Sequence, residues 1–173
     1  IEVLINLWIK KWLLDASDAR HETIRTAGLF LSGGQAGAFG AGRCRALADV
    51  GLTQVFDIVG GVSVGTLLAA YLLSGQIHEA SKVFFNVCRK EGRTYLNPRG
   101  FCINVRALID DHVRKHIDIK AVIASRTHFY VGVTDVTYEH APKGKILDAK
   151  HTEDGHDMLD YIEAAMTVIP YGK

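Results

Sequence analysis

Residues 57 to 75 read DIVGGVSVGTLLAAYLLSG, and at their centre Gly61, Val62, Ser63, Val64 and Gly65 form the pentad GVSVG. The apolar run Gln54 to Val59 ahead of it has the length and composition of a short strand. Behind it, Thr66 to Leu73 is almost wholly apolar and stops at Gly75, as a buried helix closed by a glycine does. The stretch therefore predicts strand, sharp turn, buried helix, with a serine at the turn. Two readings of Ser63 stand at this point. Small neighbours let the backbone close up and present the hydroxyl as a nucleophile at the positive end of the following helix, or the serine is simply a small residue in a packed turn.

Working outward, the preceding segment repeats the pattern. Gly28 to Leu31 is a short apolar run, the cluster SGGQAG follows, and Phe39, Gly42, Ala46, Leu47 and Val50 recur at helical spacing up to Gly51. Backbone N–H groups freed in such a glycine loop, at Gly33, Gly34 and Gln35, suit the developing negative charge of a tetrahedral intermediate. Helices are predicted from about 77 to 90 and from about 105 to 116. Residues 127 to 136, THFYVGVTDV, are dense in β-branched and aromatic types and read as a strand, with a shorter one near KILDA. Met158, Tyr161, Ile162 and Ala165 mark a last helix running towards Pro170. Alternating strands and helices predict an α/β architecture with a mostly parallel sheet, whose sites form at the carboxyl ends of the strands. Both glycine motifs lie at such ends.

Composition narrows the function. The chain has 173 residues, is 48% hydrophobic and 23% charged, and carries a formal charge of +1. That is the make-up of one folded domain with a real core, and the mixed signs present no basic face for a nucleic acid. Cys44, Cys88 and Cys102 are far apart and lack CxxC spacing, so they read as reduced, buried thiols rather than a disulfide framework or a zinc site. His112 and His116 are four apart on a predicted helix, yet no HExxH pattern accompanies them, and an exposed helix face is the plainer reading. Asp110 and Asp111 are adjacent and point apart on a helix. Asp57 reads as an anchor of its strand, and Asp135 as a carboxylate hydrogen-bonded to a loop. No metal or cofactor is expected.

The N-terminus, IEVLINLWIKKWLLD, puts Ile1, Leu4, Ile5, Trp8 and Trp12 on one helical face. Its apolar run is broken by Lys10 and Lys11, short of the roughly 20 residues that span a bilayer. Residues 1–26 are thus expected to be an amphipathic helical segment ahead of a domain at 27–173. Two roles are open to residues 1–14, packing on the domain or peripheral membrane contact. The expected location is cytoplasmic or peripheral to a membrane, and oligomeric state is not legible.

Taken together, LFLSGGQAGAFGAGRCRALADVGL and DIVGGVSVGTLLAAYLLSG resemble the opening of a patatin-like phospholipase, in which a glycine-rich oxyanion loop precedes a GxSxG nucleophile. NVRALIDDHV, THFYVGVTDV and YIEAAMTVIP follow in the family's order, so the resemblance covers about residues 27 to 170. It implies a three-layer α/β fold and a Ser–Asp dyad acyl hydrolase acting on lipid esters without metal or catalytic histidine. Ser63 matches the nucleophile, Gly61 and Gly65 its flanking glycines, and Gly33, Gly34, Gln35 and Gly37 the oxyanion loop. Two departures stand out. Either Ser32 replaces the first glycine of the family's loop or one residue of the loop has been lost, and Ala36 occupies a place where a basic residue is usual. The family's aspartate, in a DGG or DGA motif after the proline that Pro170 resembles, is expected beyond Lys173, with the fold C-terminally incomplete and this chain by itself nearly inactive. The one Asp-Gly pair, Asp154 and Gly155, reads as a solvated turn. Alternatives of other classes are a catalytically dead binding descendant and a nucleotide-binding domain built on SGGQAG, which lacks the acidic residue such a site needs one strand later.

Overall fold

The computed structural model describes residues 6, 25–31, 33, 37–88, 104–137, 141–152 and 157–167, the side chains of 85–88 excepted. Four strands form one sheet in the order β1 (Ala27–Phe30), β2 (Ile58–Val62), β3 (His128–Asp135), β4 (Lys143–Asp148). The first three are parallel and β4 returns antiparallel to β3. Ala27 pairs with Ile58, Ile58 with His128, and Tyr130 with Asp148, which fixes the register across the sheet. The helices are α1 (Gly37–Asp49), α2 (Val64–Leu73), α3 (Ile77–Cys88), α4 (Val105–Leu108, continuing through a π-helical turn, Ile109–Val113, into Arg114–His116), α5 (Ile119–Ala124) and α6 (Met158–Met166). This is the mostly parallel, helix-flanked α/β architecture that the sequence predicts.

At the centre stands α2. Its sequence, VGTLLAAYLL, is apolar on every side, and such a helix is stable only when surrounded. Residues Gly65 to Leu72 are all buried, and the helix touches β1, β2 and β3 as well as α1, α3, α5 and α6. Leu67, Tyr71, Val59, Phe129, Val131, Ile109 and Ile162 are among the largest fully buried side chains of the core. Truncating one of these, Leu67→Ala for example, removes about 2–5 kcal/mol, the usual cost of an unfilled core site.

Local chemistry sets the ends of the peripheral helices. Asn104 accepts from the N–H of Ala107 at 3.1 Å, and Asp118 accepts from that of Ala121 at 3.0 Å. Asp157 and Asp160 form a reciprocal capping box at α6, and Asp157 also accepts from Arg114 Nη1 at 2.8 Å, tying α6 to the end of α4. Asp110 pairs with Arg114 at 3.2 Å on an exposed face, as a solvated helix edge.

Four details differ from the sequence expectation. The run expected as a strand at 54–59 begins as a 3-10 turn, Thr53–Val55, and the strand itself runs from Ile58 to Val62. Gly60 and Gly61 thus belong to β2, because a strand's ladder uses only backbone groups and both glycines pair with neighbours on each side. The helix predicted over 105–116 is interrupted by its π turn, and α5 was not expected.

Candidate active site

β2 delivers the chain to Ser63 and α2 begins at the next residue. Ser63 has φ 53° and ψ −133°, and among the described residues it is the one non-glycine with positive φ. An L-residue held there is strained by about 1–3 kcal/mol, and such strain concentrates where a side chain must be presented. The side chain is half-buried and makes no hydrogen bond to the N–H groups of α2, although a serine at this position ordinarily caps its helix. Its carbonyl accepts from Thr66 N at 2.9 Å and closes the first turn. The hydroxyl is therefore not spent on capping and stands beside the positive end of a ten-residue helix.

The two flanking glycines are there for close approach. A Cβ on Gly61 would lie 2.4 Å from Thr66 Cα, where the chain doubles back over the start of α2. A Cβ on Gly65 would lie 2.0 Å from the carbonyl oxygen of Phe30, the last residue of β1. Since atoms at van der Waals contact sit about 3.5–4.0 Å apart, neither position has room for a side chain. Gly65 thus presses α2 onto the end of β1, from which the chain runs through Leu31 towards the glycine loop.

The loop's far end is fixed by a third contact. Gly37, the first residue of α1, is buried, and a Cβ there would lie 2.4 Å from Val64 Cγ1 and 2.9 Å from Phe84 Cε1. Val64 directly follows Ser63, so the two predicted motifs meet at Gly37 and Val64. Gly33 is exposed at the carboxyl end of β1. Gly34 and Gln35 lie outside the described residues, as do Ser32 and Ala36. Sequence reasoning missed Phe30, Val64 and Phe84 as the partners that make these glycines necessary. Phe30 and Val64 lie next to the glycine motifs in the sequence, whereas nothing in the sequence points to Phe84.

The carboxylates fall elsewhere. Asp57 sits at the amino end of β2, where Oδ2 accepts from Thr26 N at 2.7 Å and Thr26 Oγ1 at 3.1 Å; it anchors β2 to β1 at the end remote from Ser63. Asp135 closes β3 on the same edge as the serine, three residues past Gly132, the partner of Val62. Its Oδ1 accepts from Thr137 Oγ1 at 2.6 Å and Thr137 N at 3.0 Å, and these bonds hold its pKa below the usual carboxylate range. It is committed to its turn. Asp154 and Gly155 lie outside the described residues.

Burial removes two further groups from consideration. The Cys44 thiol is pushed up to about 11, and the Tyr71 hydroxyl to about 12 by burial and then by Glu79. Neither ionises near neutral pH. The side chain of Cys88 and all of Cys102 lie outside the described residues, and no group of three His, Cys, Asp or Glu side chains suited to a metal occurs among those described.

Residues 29–172 match the family model described as Patatin-like phospholipase, a span that holds the glycine loop, the GVSVG turn and all four strands' pairing partners from Leu29 onward. The chain belongs to the patatin-like phospholipase family. Among solved structures it is similar to full-length ExoU of the type III secretion system of Pseudomonas aeruginosa, crystallised in complex with full-length SpcU, with a TM-score of 0.47 and 16% identity over 82% of this chain and 38% of that one. The chain thus spans well under half of ExoU's length. No curated protein matches it. Within this patatin-like domain, no helix among the described residues is long and apolar enough to cross a membrane.

Proposed function

We propose that the domain is the acyl-hydrolase unit of a lipid-cleaving enzyme, acting on phospholipid or neutral lipid esters through an acyl-enzyme at Ser63. The observation that carries this reading is the strained backbone of Ser63, held between two glycines that tolerate no side chain, with its hydroxyl spent on no cap. Strain of this kind supports presentation of the hydroxyl over a packed turn, which has no need of it.

In this mechanism Ser63 Oγ attacks the ester carbonyl as its proton passes to an aspartate. The carbonyl oxygen becomes an oxyanion, received by N–H groups of the loop that runs through Gly33, Gly34, Gln35 and Gly37 and by the positive end of α2. Collapse breaks the bond to the alcohol, which leaves with the proton. Water then attacks the acyl-enzyme, giving up a proton to the same aspartate, and frees the fatty acid and Ser63.

The aspartate of this reading follows the Pro170 segment, as in the family pattern, since Asp57 and Asp135 are tied to Thr26 and Thr137. Without it, residues 1–173 by themselves are expected to turn over esters slowly or not at all, since loss of a partner in a catalytic pair costs several powers of ten. The whole protein with that aspartate should hydrolyse a short-chain p-nitrophenyl ester, and Ser63→Ala should abolish the reaction. Equal turnover in the variant would end the proposal. On this reading the working enzyme meets its substrate at a lipid surface.

A further inference from the structure

The two faces of the sheet are treated differently. On one, Val59, Gly61, Phe129 and Val131 are buried beneath helices. On the other, Leu29 is 67% exposed, Val62 39% and Ile146 77%. These three share a face by register: Leu29 pairs with Gly60, Gly60 with Tyr130, Val62 with Gly132, and Gly132 with Ile146. Gly60 and Gly132 leave shallow places between them. Leu29 Cδ1 leans to within 3.2 Å of where a Gly60 Cβ would stand, and Val62 Cγ2 to within 2.9 Å of that of Gly132. The result is a mainly apolar shelf that no described helix covers, bordered on the same face by His128, Tyr130, Thr134 and Asp148. It carries no Lys or Arg, for Lys143 and Lys145 pair with Asp135 and Val133 and so belong to the opposite face.

We propose that the apolar stripe of residues 1–14 packs on this shelf within the same molecule. Ile1, Leu4, Ile5, Trp8 and Trp12 fall within about a 100° arc of a helix, the width of a core-facing stripe. Asn6, the described residue of the segment, is helical and exposed, and on that wheel it lies opposite the stripe. The lengths agree. A helix of 14 residues spans about 21 Å, and four strands are about 14 Å across. The chain enters β1, an outer strand of the four, directly from residues 15–24. Ten residues reach at most about 33–36 Å, ample to bring the helix back over the face. A shelf without cations also lacks the attraction to anionic lipid headgroups that a membrane-docking face uses. Packed there, the segment braces Val62 and with it the strand that ends at Ser63.

Trp8 and Trp12 are the two tryptophans of the chain, so its intrinsic fluorescence reports on this segment alone. In the full chain without lipid, the proposal expects blue-shifted emission shielded from acrylamide. Ile146→Glu should red-shift that emission and raise its quenching while far-UV circular dichroism keeps the folded signal. Solvent-like tryptophans that blue-shift only on adding phosphatidylcholine/phosphatidylglycerol vesicles would overturn it in favour of a membrane contact. Shielded tryptophans indifferent to both Ile146→Glu and Leu29→Glu would overturn it in favour of packing elsewhere. If either variant fails to fold, a benzophenone photo-crosslinker at position 146 decides: capture of peptides from residues 1–14 supports the proposal, and their absence among captured peptides sinks it.

Discussion

Replacing Ser63 by glycine should make the protein more stable while destroying the proposed nucleophile. Ser63 is held at φ 53°, ψ −133°, where an L-residue is strained by about 1–3 kcal/mol and glycine is not. Against that relief stands the greater freedom of glycine in the unfolded chain, about 0.4–1 kcal/mol. The hydroxyl makes no cap hydrogen bond, so nothing is lost there. The balance is a gain of about 1 kcal/mol, or roughly 2–4 °C in melting temperature for a chain of this size. Ser63→Ala is the control. It keeps the Cβ and the strain, and should lie within about 0.5 kcal/mol of the parent. Urea unfolding followed by circular dichroism measures all three. If the glycine variant proves no more stable than the alanine variant, the backbone at Ser63 is not strained and the case for a presented hydroxyl fails with it.

Gly65→Ala puts a methyl group 2.0 Å from the Phe30 carbonyl oxygen, so backbone must move. A loss of about 1–3 kcal/mol is expected in urea unfolding, together with slower acylation of Ser63 by an ester substrate. Tyr71 is fully buried and its hydroxyl has no hydrogen-bond partner among the described residues, so Tyr71→Phe removes a desolvation penalty and should raise stability by about 1 kcal/mol; a loss of that size would show that the hydroxyl is satisfied. For Asp157, partial burial would raise the carboxyl pKa, but the Arg114 hydrogen bond and the α6 N–H groups outweigh it and hold the pKa below the usual value. The stability this provides is present above the unfolded carboxyl pKa of about 3.9 and is lost as pH falls through the lower folded value. Asp157→Ala should therefore cost about 1 kcal/mol at pH 7 and flatten the acid limb of the stability curve, which melting temperatures between pH 7 and pH 2.5 would register.

How far the sequence foretold this depends on whether a feature is local or tertiary. The turn at Ser63 was legible because strand, glycines and apolar helix lie within one short run, and α2 begins within two residues of its predicted start. The α5 helix escaped because IKAVIA is too short to show a helical period against its surroundings, although Asp118 caps it. The π turn at Ile109–Val113 escaped because one inserted residue changes hydrogen bonding without disturbing the apolar spacing of Val105, Leu108 and Ile109. In the candidate site, the glycine positions were readable but their reasons were not. That Gly65 needs room for the Phe30 carbonyl, and Gly37 for Val64, follows from the approach of β1 and α1 to α2, which no pattern in the sequence encodes. Asp57 and Asp135 behaved as anchors, as their places at strand ends suggested.

The central claim is that Ser63 is a nucleophile. A fluorophosphonate probe reacts with an activated serine and leaves a covalent mark that mass spectrometry assigns to one residue. The account predicts a single labelled serine, Ser63, in the whole protein, and no label in Ser63→Ala. Labelling that persists undiminished in Ser63→Ala, or that maps to another serine, would contradict it.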